Sequence, residues 1–340
     1  MDSAETFRYG RGMMDKHMQR CLDLAVQGRG LVGNGALVGA VLVRDTVSIA
    51  EGFHAGFGKL HAERDLLNRF TGDILPGDVL YVNLEPCCHH GKTPPCTDSI
   101  LQRGIKHVVY GMRDPDTRVS GHGIEALRRA GVTVRASRDT AACEYVNRGF
   151  ISVRTNGRPW ITLKQARMPD GSIANMDGSP KNITSNAQNI WSHYYLRARS
   201  DAIIVGVGTI ITDNPKLTIR HHEGAHQPYR IVLDPHLRLP ENSRVVTDEY
   251  RERTIICTDK NTSANEVKKN ALQASGVRVV SVDMHRDTFD WAQLWQALTA
   301  PADDYIGMTS VLVEGGRRTW DLFRRNGMMD EEVTLVGVPS

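Results

Sequence analysis

Two short stretches constrain this chain more than anything else in it. The first is His61-Ala62-Glu63; the second is Glu85-Pro86-Cys87-Cys88-His89-His90-Gly91-Lys92-Thr93-Pro94-Pro95-Cys96. One imidazole and two thiolates hold Zn²⁺ in a tetrahedral site whose fourth position stays open to water. Such an ion lowers the pKa of that water toward neutrality. Glu63 sits two residues past the histidine. From the start of a helix it reaches across that ligand and moves a proton at the open position. A fold that carries this set must bring a helix start and a strand-end loop to one point.

The pattern follows the signature H-x-E then P-C-x-x-C of zinc-dependent base deaminases, with a longer second half. Eight residues separate Cys87 from Cys96. They include Cys88, His89 and His90, so spacing alone leaves the choice of donors open. Cys87 and Cys96 are preferred because each follows a proline. Pro86 closes an apolar strand, and Cys96 precedes Thr97-Asp98-Ser99-Ile100-Leu101, which reads as a helix start. Thiolates on opening helix turns gain from the field of the helix N-terminus. A structural zinc site has no use for a glutamate beside its histidine and usually fills all four positions.

At 340 residues the chain exceeds one ordinary core, and two domains are expected, over residues 13–152 and 158–340. The formal net charge is only +3, which counts against a dedicated nucleic-acid surface and suits a small anionic substrate. Of six cysteines, Cys87, Cys88 and Cys96 belong to the motif, and Cys21, Cys143 and Cys257 are scattered. No disulfide framework is visible, so a reducing, cytoplasmic compartment fits. The polar start has no apolar h-region, and no apolar run is long enough to span a bilayer; no membrane partner is expected.

Hydrophobic periodicity predicts a helix from Asp15 to Val26, stopped at Gly28-Arg29-Gly30, and a hairpin over 37–49 broken at Arg44-Asp45. Helices over 62–70, 98–104, 124–130 and 140–149 alternate with strands over 79–84, 107–110 and 132–134. That alternation argues for α/β layers, with ligands at strand C-terminal ends. In the second half, strands are expected over 160–163, 202–205, 229–233, 254–257, 277–280, 311–313 and 333–336, with helices over 291–298 and 319–325. Gly206-Val207-Gly208 lets a backbone approach a ligand. There is no full G-x-G-x-x-G and no acid at the matching distance, so a standard dinucleotide domain is not supported.

The first half resembles the pyrimidine deaminase domain of the bifunctional riboflavin-biosynthesis enzymes, a cytidine-deaminase-like family. Members carry H-A-E, then E-P-C-x-H-x-G-x-T-P-P-C, then D-P-x-x-x-V-x-G-x-G. Here these are His61–Glu63, Glu85–Cys96 and Asp114–Gly123, with Phe53-His54 ahead of the metal helix. The resemblance implies His61, Cys87 and Cys96 as zinc ligands and Glu63 as proton shuttle. It implies His54, His90, Lys92, Thr93 and Asp114 as substrate contacts. Where the family has P-N-P-x-V-G-C, with the Asn on substrate, this chain has Asn34-Gly35-Ala36-Leu37-Val38-Gly39-Ala40. The aligned position is Gly35, and Asn34 is expected to serve from one residue away.

The second half is similar to the reductase domain of the same enzymes, which has a dihydrofolate-reductase-like α/β fold and uses NADPH. Leu196 through Arg220 matches L-R-A-x-S-D-A-I-x-x-G-x-x-T-x-x-x-D-x-P-x-L-T-x-R, and Val313-Glu314-Gly315-Gly316 matches x-E-G-G. The resemblance assigns Lys164, Arg197, Asp213, Leu217, Arg220 and Glu314 to a pyrimidine ribosyl phosphate. It places Thr184, Gly206, Gly208, Thr209, Gly315 and Gly316 at NADPH or its border. Pro180 and Asn182 stand where the family has a serine and a tryptophan. The implied protein is a two-domain deaminase and reductase of riboflavin biosynthesis, a homo-oligomer through its second domain. Its rivals are a relative acting on a related pyrimidine and a deaminase with an inactive second domain.

Overall fold

The computed structural model describes residues 14–89, 94–172, 183–222, 224, 226–262 and 266–337. The chain divides into two compact units, Met1–Asn156 and Gly157–Ser340, each built on its own sheet.

In the first unit Asp15 opens α1 (Lys16–Ala25), its carboxylate accepting the amides of His17 and Met18. Asp45 and Thr46, with φ of 46° and 70°, turn β1 (Gly39–Arg44) into antiparallel β2 (Val47–Phe53). Then follow α2 (Ala62–Arg69), β3 (Val79–Leu84), α3 (Cys96–Gln102), β4 (His107–Met112), α4 (His122–Arg129) and β5 (Thr133–Ala136). The sheet order is β2-β1-β3-β4-β5, with β3, β4 and β5 parallel. Alternation along the strands sends Leu42, Leu80, Val82 and Val108 to one face, against Leu66, Ile100 and Leu127 of α2, α3 and α4. Val41, Val43 and Val109 point the other way, onto Met18 and Cys21 of α1 and onto Cys143 and Phe150. The result is the α/β/α layering expected.

One predicted helix is two. The 140–149 pattern resolves into α5 (Thr140–Val146) and α6 (Arg148–Asn156). The break falls at Asn147, which is 1% exposed. Its side chain leaves the helical pattern to bond both backbone groups of Leu37, accepting N–H at 2.9 Å and donating to C=O at 3.0 Å. That pair fixes the strand-entry loop beside Gly35.

The second unit comprises β6 (Trp160–Arg167), α7 (Asn186–Tyr195), β7 (Ala202–Gly206), α8 (Val207–Asp213), β8 (Tyr229–Leu233), α9 (Arg244–Thr247), β9 (Thr254–Asp259), α10 (Glu266–Ala274) and β10 (Arg278–Val282). A hairpin of β11 (Met284–His285) and β12 (Thr288–Phe289) leads into α11 (Trp291–Thr299), β13 (Ser310–Val313), α12 (Arg317–Arg325) and β14 (Glu331–Val336). Seven strands pair in parallel in the order β10-β9-β8-β7-β13-β6-β14. Ile161, Ile204, Ile231 and Val311 pack against Leu294, Trp295 and Phe323 on one face; Ile203, Val205, Val232 and Ile256 pack against Ile210 and Leu272 on the other. Strands buried on both faces read as continuous apolar runs, which is why Ala202–Val205 shows no alternation. The order reverses around β7 and β13, where ligands of open α/β sheets bind beyond the strand C-termini.

Candidate functional site

His61 is the residue that precedes α2, with an extended backbone. Glu63 follows in the first turn and is 3% exposed. Cys96 is the first residue of α3. Cys87 lies in the loop after β3 rather than on a helix, so the expectation of two thiols on opening helix turns is corrected for Cys87. The loop nevertheless folds back onto α3: Thr97 N–H donates to Cys87 C=O at 3.2 Å, and Cys96 N–H to Cys87 Sγ at 3.4 Å. A helix-start amide thus reaches the sulfur from outside its own segment.

His61 Nδ1 stands 3.5 Å from Cys87 Sγ and 3.4 Å from Cys96 Sγ. The three donor atoms all lie within 4.8 Å of one another. Tetrahedral zinc, with its usual bond lengths to sulfur and nitrogen, holds those atoms about 3.6 Å apart. The two edges that meet at His61 Nδ1 match that spacing. Cys88 is half-buried and outside this donor group among the described residues. His90, Lys92 and Thr93 lie outside the described residues.

The two thiols share a proton unequally. A hydrogen bond from Cys96 holds Cys87 well below the ordinary thiol range, and the same contact, with burial, pushes Cys96 up. Cys87 in turn raises the His61 imidazole. Burial, then the charge on Cys87, pushes the Glu63 carboxyl up to about 7. A carboxyl near neutrality both gives and takes a proton at working pH.

A cavity of about 450 Å³ opens on this cluster, walled by Gly35, His54, Glu63, Glu85, Asp114 and Arg154 among others. His54 Nδ1 bonds Leu60 C=O at 3.0 Å, which places its proton there and leaves Nε2 as the acceptor. Burial lowers its pKa, so it stands neutral near pH 7. Burial likewise raises Asp114. Asn34 is not among the residues that wall the cavity. Gly35 N–H closes a turn onto Val32 C=O at 3.1 Å, which brings position 35 to the cavity instead. A Cβ there would stand 3.9 Å from His54 Nε2.

Several wall residues escaped the sequence reading. Asp116, Arg118 and Val119 fall inside the D-P-x-x-x-V motif and were legible there. Phe150 and Arg154 come from α6, where the guanidinium lies 4.9 Å over the Phe150 ring; Phe150 closes an N-x-x-F pattern with Asn147, and no local pattern marks Arg154.

The second unit places Gly206, Gly208 and Thr209 at the end of β7, Glu314, Gly315 and Gly316 at the end of β13, and Lys164 within β6. Glu314 follows β13 and pairs with Arg197 through two bonds, at 3.1 and 2.5 Å. Arg197 also donates to Thr218 C=O at 2.8 Å. Burial alone would raise the Glu314 carboxyl; Arg197 and then Lys164 outweigh it and hold the group down at about 2. His193, unassigned by sequence, accepts Arg220 N–H at 3.1 Å. Burial, then Arg197 and Arg220, push its pKa down to about 3, so it carries no charge there. Two guanidinium groups and an ammonium therefore face one carboxylate, an imbalance suited to an anionic ligand. Leu217 is 3% exposed with φ of 53°, a left-handed backbone that is costly for a branched side chain and typical of functional loops. Asp213 ends α8 on the exposed side, and burial raises its carboxyl.

The glycines divide into two kinds. A Cβ on Gly206 would meet Thr319 Oγ1 at 2.8 Å, and one on Gly315 would meet the same side chain at 2.5 Å; both are needed for packing. Gly208 and Gly316 face open space. They leave room for a ligand to approach the backbone at the ends of adjacent strands β7 and β13, which fits a bound nucleotide. Thr209 lies one residue beyond Gly208 in α8, while Thr184 Oγ1 is engaged with Asn189 at 2.7 Å.

Residues 13–112 match the cytidine and deoxycytidylate deaminase zinc-binding region, and residues 159–339 match the RibD C-terminal domain. The riboflavin biosynthesis protein RibD of Aquifex aeolicus is 36% identical over 324 residues, covering 94% of this chain and 85% of the relative. The RibD structure from Acinetobacter baumannii superposes with a TM-score of 0.80 at 30% identity, over 95% of this chain and 86% of that one. A diaminohydroxyphosphoribosylaminopyrimidine deaminase/5-amino-6-(5-phosphoribosylamino)uracil reductase from Thermotoga maritima gives 0.79 at 35% identity, over 94% and 85%. With both halves matched in order and in fold, the chain belongs to the RibD family of bifunctional riboflavin-biosynthesis deaminase–reductases.

Proposed function

We propose that the first unit hydrolyses the ring amino group of 2,5-diamino-6-ribosylamino-4(3H)-pyrimidinone 5′-phosphate to a carbonyl, releasing ammonia. In our reading the second unit then reduces the ribosyl group of that product to ribityl. The observation that carries the reading is the donor triangle of His61, Cys87 and Cys96 with buried Glu63 beside it. Zinc bound there supplies the Lewis acidity that makes water reactive near neutral pH. Glu63 takes the proton of the attacking water and returns it to the departing amine. His54 Nε2 accepts a hydrogen bond from the pyrimidine, and Asp114 holds its far edge.

In the second unit NADPH supplies the hydride. Arg197 and Arg220, with Lys164, hold the ribosyl phosphate, and Glu314 fixes the Arg197 fork in place. Gly208 and Gly316 admit the nucleotide along the strand ends. Pro180 and Asn182 lie outside the described residues; a proline without an N–H and an amide without an indole weaken nucleotide binding more than they alter hydride chemistry.

Incubating the protein with the diaminopyrimidine and NADPH is expected to release ammonia and to oxidise NADPH slowly, with NADH poorer. Ammonia without any nucleotide oxidation, even at high substrate, would reduce the second unit to a scaffold. Neither signal from zinc-loaded protein would point to a different pyrimidine, selected by the altered loop at Gly35.

All six cysteines are free, and no helix among the described residues is long and apolar enough to cross a membrane; both suit the cytoplasmic location we propose. Assembly of copies through the second unit is part of the reading. The exposed Ile190, Trp191 and Tyr194 on α7 support it. Light scattering is expected to give a mass at least twice that of one chain, and a monomer at micromolar concentration would remove this element.

A further inference from the structure

Glu85 follows β3 and is 4% exposed. Its carboxylate forms no ion pair among the described residues. Both oxygens instead accept backbone amides: Oε2 takes Asp114 N–H at 3.2 Å and Gly121 N–H at 2.9 Å, while Oε1 takes Gly123 N–H at 3.0 Å and Ile124 N–H at 3.4 Å. Two carboxylate oxygens offer about four lone-pair sites, and these amides use all of them. Glu85 therefore has no capacity left for substrate.

The contacts join two parts of the site. Gly121 precedes α4 with φ of 82° and has no side chain with which to cap it. Glu85 caps that helix from 36 residues away. A Cβ on Gly123 would stand 1.9 Å from Pro86 C=O, so the first turn of α4 rests directly on the backbone of the metal-ligand loop. Asp114 and Gly121 are also the two ends of the segment that presents Asp114, Asp116, Arg118 and Val119 to the cavity. One oxygen pins both ends. Between them, Asp116 N–H donates to Asp114 at 2.9 Å and Arg118 forks onto Asp116 at 2.9 and 2.6 Å.

We propose that Glu85 is a positioning residue for the deaminase, clasping the 114–121 segment and α4 to the loop that carries Cys87 and so setting the substrate wall of the cavity. This rests on the deaminase reading above. It predicts a defect in substrate binding with the metal retained. Glutamine keeps one acceptor oxygen and turns an NH₂ toward the other pair of amides, so Glu85→Gln releases either the segment or the helix. Gly123→Ala separates the same two parts from the opposite side and leaves the carboxylate intact.

Both variants are expected to raise KM for the diaminopyrimidine by about 10–100-fold with kcat changed far less, as a misplaced supporting shell does. Zinc content and the reductase rate on the deaminated product should match the parent. Backbone exchange at Asp114, Gly121, Gly123 and Ile124 should be slow in the parent and faster in both variants. Unchanged KM, or zinc lost in step with activity, would overturn the proposal. So would fast exchange at these amides in the parent, whatever the variants do. An inactive parent with slow exchange at the four amides would sink the deaminase reading and leave the clasp standing.

Discussion

Glu63→Gln is expected to lower deaminase turnover by about 10²–10⁴-fold, the usual share of a general acid–base group, while zinc content and reductase rate stay at the parent level. Three features make this residue the one to change. It sits in the first turn of α2, two positions from the imidazole donor, so the helix itself aims it at the metal site. It is 3% exposed, and such a site is retained at a stability cost only where the carboxyl has work to do. Burial, then the Cys87 charge, pushes its carboxyl up to about 7. Glutamine has nearly the same shape, so His61, Cys87 and Cys96 keep their places. It cannot carry a proton from water to amine. Single-turnover ammonia release, measured beside metal analysis of the same preparation, reads the effect directly. A turnover within a few-fold of the parent would show that Glu63 is a buried neighbour of the metal and no more.

Much of this site was legible because its chemistry is local. His61-Ala62-Glu63 spans one helix start, and the strand Val79–Leu84 appears in the structure with the boundaries its apolar run predicts. The same holds for Tyr229–Leu233. What escaped depends on contacts between distant segments. Cys87 takes a helix-start amide without being on a helix, because its loop folds back on Cys96 and Thr97. Asn147 marks the break between two helices because its side chain bonds both backbone groups of Leu37, 110 residues away, sharing the carbonyl with Asn83. The role of Glu85 is written in amides 29 to 39 residues downstream, which no periodicity can show. The missed helix α7 is different. Ser185 and Gln188 form a capping box, a signal present in the sequence and readable as S-x-x-Q. His193, on that helix, went with it.

The donor set gives the second large effect, because neighbouring cysteines make it separable. Cys87→Ser is expected to empty the site and abolish ammonia release, and Cys88→Ser to leave both at the parent level. Serine is nearly isosteric with cysteine, but its hydroxyl is a far weaker zinc donor than a thiolate. Losing an outer-shell partner already costs about 10–100-fold in metal affinity, and losing one of three ligands costs more. Cys88 is adjacent in sequence, yet it stands outside the donor group. Only Cys87, among the two, joins His61 Nδ1 and Cys96 Sγ in the donor group, 3.5 Å from the imidazole nitrogen. The measurement is the zinc-to-protein ratio after dialysis against a weak chelator, with reductase turnover as an internal control on the second unit, which has its own core. Circular dichroism of the first unit's helices guards against unfolding. Zinc lost from folded Cys88→Ser and kept by Cys87→Ser would exchange the two thiols in the ligand set. Loss from both would mean that the eight-residue span to Cys96 is itself held by the pair.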